Sequence, residues 1–90
     1  MIKLASEMDQ HTRITCLIAG WVAIDENAGP PPTWTENPIR LRRSNGRRMA
    51  GRPTKYYLHG LGGEYAVEIR AYTDAEAVEK ANNYLEEHKP

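Results

Sequence analysis

Apolar positions crowd most tightly between Thr12 and Ile24, where Ile14, Cys16, Ile18, Val22 and Ile24 fall on one face at a period of two residues. The alternate positions Leu17, Ala19 and Trp21 are apolar as well. A strand that is apolar on both faces belongs in the middle of a sheet. The pattern therefore predicts a central strand over residues 12–24, with Gly20 marking a bulge or bend.

Further along, Asp25 to Gly29 followed by Pro30, Pro31 and Pro32 reads as a loop, because consecutive prolines donate no ladder hydrogen bonds. Thr33-Trp34-Thr35 reads as a short edge segment, and Asn37-Pro38 as a turn before Ile39-Arg40-Leu41-Arg42, which alternates apolar and basic residues as a one-sided strand does. Arg43 to Pro53 keeps no regular period and is expected to be an exposed loop. Residues 54–59 and 64–72 flank Gly60-Leu61-Gly62-Gly63 as the two arms of a hairpin, with Tyr65, Val67, Ile69 and Ala71 toward the core.

The C-terminal segment has the fullest set of helix signals. Thr73 with Glu76 forms a capping-box pattern, Tyr72 and Ala77 stand at staple spacing, and Ala77, Val78, Ala81, Tyr84 and Leu85 make one apolar stripe. A helix is expected from Asp74 to near His88, with Glu76 and Lys80 paired on its solvent side. Together these elements predict a single α+β domain over residues 1–90: a three- to four-stranded antiparallel sheet with a C-terminal helix packed on one face.

Composition changes this picture at one place. Twelve basic and twelve acidic side chains cancel over the chain, which argues against a body that is basic or acidic throughout. Yet residues 40–55 carry Arg40, Arg42, Arg43, Arg47, Arg48, Arg52 and Lys55 with no acid. Arginine presents a weakly hydrated planar fork suited to phosphate and carboxylate. These seven residues, with Trp34 and Tyr57 as exposed aromatic anchors, are the candidate partner-binding set, whereas Trp21, Tyr65 and Tyr84 are expected to be core. Gly51-Arg52-Pro53 matches the centre of an AT-hook, but Ala50 stands where that motif has another basic residue. If all seven cations met phosphates, log affinity would fall against log salt with a slope of about −6. Placing the working surface here requires the guanidinium groups to project outward rather than fold onto the protein's own carboxylates.

Candidate catalytic chemistry is sparse. His11, His59 and His88 are scattered, none pairs with Cys16 or with an acid at a recognisable spacing, and Cys16 reads as core. The glycine-rich turn at residues 60–63 is followed by Tyr65 and a strand, so it is not a dinucleotide loop. No enzymatic activity, metal or cofactor is expected. A single cysteine, acids near the N-terminus and no run of about 18 apolar residues point to a cytoplasmic protein, in the host cytoplasm if phage-encoded.

The run from Tyr65 to Ala71 into Tyr72-Thr73-Asp74-Ala75-Glu76-Ala77-Val78-Glu79-Lys80-Ala81 resembles a pattern of small phage and mobile-element proteins, and also the last strand and helix of the arm-type N-terminal domains of phage integrases. The layout of a short chain with a β-meander and a terminal helix is similar to several anti-CRISPR proteins. That resemblance implies a stoichiometric inhibitor that binds and blocks a host nucleic-acid-handling protein complex. Many such inhibitors are strongly acidic, and this chain is neutral with a basic segment. The alternatives are a DNA- or RNA-binding module centred on Arg47, Arg48 and Arg52, and an assembly protein, monomer or homodimer, that pairs through an unpaired Ile39–Arg42 edge.

Overall fold

The computed structural model describes residues 1–29, 34, 38–46, 50–62 and 66–88. In chain order the elements are β1 (Ile2–Leu4), a 3-10 turn (Ala5–Glu7), α1 (Gln10–Ala19), β2 (Trp21–Asp25), β3 (Arg40–Arg43), β4 (Thr54–His59), β5 (Val67–Ala71) and α2 (Asp74–Glu87). The α+β class holds, but the sheet has five strands, all antiparallel and in sequential order, one more than the upper expectation.

The largest correction falls on residues 12–24, which form a helix and a short strand rather than one long strand. The helix is fixed at both ends by local chemistry. Asp9 is the N-cap: its carboxylate accepts from the Thr12 backbone N–H at 3.0 Å and from the Thr12 hydroxyl at 2.9 Å. Gly20, at φ 83°, ends the helix in the left-handed region and donates its N–H to the Cys16 and Leu17 carbonyls. Gly20 is thus a helix stop and not a bulge. The only register irregularity in this strand lies just beyond it, between Trp21 and Ala23.

Two cores follow from the alternation of the strands. On one face Ile2, Ala23, Leu41, Tyr56, Leu58, Ile69 and Ala71 pack with Ala77 and Ala81 of α2, while Val67, Val78, Tyr84 and Leu85 complete the contact. The small alanines let α2 lie close to the sheet. Thr73 is its N-cap, with the Glu76 N–H donating to Thr73 Oγ1 at 3.1 Å, while the Glu76 carboxylate turns to Lys80 Nζ at 3.2 Å, so the structure shows the Thr73 half of the expected capping box. Tyr72, 59% exposed, does not serve as a staple. On the opposite face α1 packs on β2 and the 3-10 turn, where Cys16 joins Ala5, Ile24 and Ala28 in a second, smaller core.

The expected Ile39–Arg42 strand exists as β3, but it is central rather than an edge, paired with β2 on one side and β4 on the other. The real edges are β1 and β5. Asn82 of α2 closes part of the β1 edge as a strand would: its Oδ1 accepts from the Ile2 N–H and its Nδ2 donates to the Ile2 carbonyl, both at 3.0 Å. On β5, Lys80 Nζ donates to the Arg70 carbonyl at 2.8 Å. These contacts weaken the case for assembly by sheet extension. The expected edge segment at Thr33-Trp34-Thr35 and the core position of Tyr65 lie outside the described residues, apart from Trp34.

Candidate functional site

Cross-strand partners share a face of a sheet. The pairings Trp21 with Arg42, Arg40 with His59, Arg42 with Tyr57, Tyr57 with Glu68 and Lys55 with Arg70 therefore place these side chains together, opposite α2. Among the described residues α1 packs chiefly on β2, and no helix packs on the β3–β5 part of this face. Four cations, Arg40, Arg42, Lys55 and Arg70, share it with one carboxylate, Glu68.

The two arginines of β3 are ordered by aromatic rings. Arg40 Cζ sits 4.6 Å from the centroid of Trp21, and its Nη1 donates to the Pro38 carbonyl at 2.7 Å. Arg42 Cζ sits 4.6 Å from the centroid of Tyr57, and its Nε donates to His59 Nε2 at 2.9 Å. The Trp21 and His59 rings meet edge to face with centroids 5.5 Å apart. An Nε2 that accepts a hydrogen bond places the proton of the neutral ring on Nδ1. Burial, with the nearby Arg42 and Arg40 guanidinium charges, lowers the His59 pKa and favours that neutral ring.

The predicted partner-binding residues are thereby dispersed. Arg40 and Arg42 lie half-buried on rings, Arg43 stands 3.7 Å from Asp74 Oδ1, and Lys55 Nζ stands 3.8 Å from Glu68 Oε1. Of the five that are described, Arg43 and Lys55 have thus turned toward the protein's own carboxylates, through exposed pairs that contribute little to stability. Arg52 is exposed, and Arg47 and Arg48 lie outside the described residues. Tyr57 is half-buried beneath Arg42, and Trp34 is not an exposed anchor: it packs against the smaller core with its indole nitrogen buried. The basic segment is therefore a strand, a further strand start and the connection between them. Trp21, assigned to the core from sequence, is half-buried and joins this face, and Arg70 and His59 join it too. The alternation Lys55, Tyr57, His59 against buried Tyr56 and Leu58 carried that signal.

A second surface was hidden by reading α1 as a strand. Thr12 and Cys16 point inward, while Ile14, Leu17 and Ile18, at i, i+3 and i+4, are 45%, 78% and 82% exposed. Ile14 and Leu17 also border a shallow groove of about 340 Å³ with Trp21, Val22, Arg43 and Asp74. Trp21 is common to the groove and to the basic face, so the two surfaces are continuous.

Cys16 is fully buried, and burial raises its thiol pKa, which makes it a poor nucleophile. Among the described residues no three His, Cys, Asp or Glu side chains converge as metal ligands, and no helix is long and apolar enough to cross a membrane. Comparison with family models, with curated proteins and with solved structures finds no match to the chain.

Proposed function

We propose that this chain is a non-enzymatic binding protein that docks on a host nucleic-acid-handling protein complex and blocks it, in the manner of the phage-encoded CRISPR inhibitors whose layout it resembles. The observation that carries this reading is the apolar ridge of α1, where Leu17 and Ile18 are about four-fifths exposed side by side. Covering a large aliphatic side chain is worth roughly 1.5–3 kcal/mol, a gain that only an apolar partner surface provides. Polar nucleic acid offers no such cover, so the ridge favours a protein partner. The neighbouring cations suit a partner that itself presents phosphate or carboxylate.

The test is a double substitution, Leu17→Asp with Ile18→Asp, on a surface that contributes little to folding. Production of the wild-type chain in CRISPR-immune bacteria is expected to restore plaque formation by a targeted phage. The double variant, at equal abundance, is expected to lose that protection. Restoration by neither protein across the CRISPR types of a host panel, or by both equally, removes the reading.

A further inference from the structure

We propose that the open face of β3–β5 binds single-stranded nucleic acid, with bases stacked on the Arg40–Trp21 and Arg42–Tyr57 pairs and phosphates held by Lys55 and Arg70. In each pair the guanidinium lies over the ring, with Cζ 4.6 Å from the centroid in both. All four members are half-buried, so their planes are held in place while part of each remains open to a ligand. Stacking on aromatic and guanidinium planes is the sequence-tolerant way in which proteins hold unpaired bases.

Spacing selects the strand form. Arg40 and Arg42 are two residues apart on one strand, which sets them about 7 Å from each other along β3. That is about twice the 3.4 Å rise between stacked bases of one duplex strand. Two bases can rest one on each pair only if they are unstacked from each other, which a duplex does not allow. Lys55 and Arg70 sit opposite one another on β4 and β5, displaced from the rings, where a backbone leaving the stacks would pass. Both are exposed, and both are shared with a single carboxylate, Glu68, that a phosphate can displace. An acidic protein surface would use these charges but would have no use for the two guanidinium-covered rings.

The test is fluorescence anisotropy with labelled twelve-residue oligothymidine and oligouridine between 50 and 200 mM salt. Both strands are expected to bind, with a log–log salt slope of about −1.4 for the two phosphate contacts of Lys55 and Arg70. Lys55→Ala and Arg70→Ala, both at exposed sites, should each reduce the slope by about 0.7. Arg42→Lys keeps the charge and removes the plane, so it should weaken binding about tenfold with the slope unchanged. Absence of binding at 50 mM salt, full affinity in Arg42→Lys, tighter binding of a duplex of the same length, or equal competition by polyglutamate would each overturn the proposal. It stands apart from the α1 ridge: a Leu17→Gln, Ile18→Gln variant, which removes the apolar ridge without adding charge, should bind the oligonucleotides as the wild type does, so either reading can fail without the other.

Discussion

Gly60 shows how one residue without a side chain fixes the strand pairing that builds the basic face. It follows β4 at φ 91°, and a Cβ placed there would lie 2.5 Å from the Pro38 carbonyl oxygen and 2.9 Å from the Ile39 Cα. Both neighbours are backbone, in the segment that leads into β3. Gly60→Ala should therefore cost about 1–3 kcal/mol for the conformation alone, with the steric contact in addition. A fall in the urea midpoint at unchanged slope is the expected readout. His59, one position earlier, makes a prediction about pH. Its folded pKa lies below its unfolded value, so in the window between them the unfolded chain holds a proton that the folded chain does not. Stability should then rise with pH through that window and fall as the solution is acidified below about 6.5. Protonation also removes the Nε2 lone pair that accepts from Arg42. His59→Gln should flatten this part of the pH profile when unfolding is followed from pH 5 to 7.

At the scale of elements the two helices contrast in how each was specified. The α2 helix carries its start signal in four residues, and the structure uses Thr73 as written, so Thr73→Ala should cost about 1 kcal/mol and lower the midpoint of thermal unfolding by about 4–8 °C. Its stripe of Ala77, Val78, Ala81, Tyr84 and Leu85 was legible because small and large apolar residues recur at helical spacing against polar ones. The α1 helix was not. Its inward face consists of Thr12 and Cys16 and its outward face of Ile14, Leu17 and Ile18, so hydrophobicity does not mark the buried side. A segment apolar all round satisfies strand and helix periods alike, and its β-branched residues favour the strand reading. What decides it is the pair of caps, Asp9 with Thr12 at one end and Gly20 at the other. The same inversion that concealed the helix is the reason to assign it a partner.

For the molecule as a whole, the class was readable from the order of elements, and the basic segment from charge alone. The proposed binding surface was not, because it depends on register. Trp21, Arg42, Tyr57 and Glu68 come from four strands and become neighbours only through the pairing of β2 with β3, β3 with β4, and β4 with β5. Counting cations along the chain groups Arg43 and Lys55 with Arg40 and Arg42, whereas the fold turns Arg43 toward Asp74 on the other face, keeps Lys55 with Arg40 and Arg42, and brings in Arg70 from a distant segment. The assembled picture is a meander with one face sealed by α2 and the other divided between an apolar helix ridge and a basic, ring-lined sheet. The measurement that bears most directly on it is the composition of what the immobilised chain retains from nuclease-treated lysate of CRISPR-immune bacteria. A stoichiometric multi-subunit nucleic-acid-handling complex on the wild-type chain, reduced about a hundredfold in affinity on the Leu17→Asp, Ile18→Asp variant, is the predicted result. Retention of no such complex, or equal retention by both chains, would contradict it.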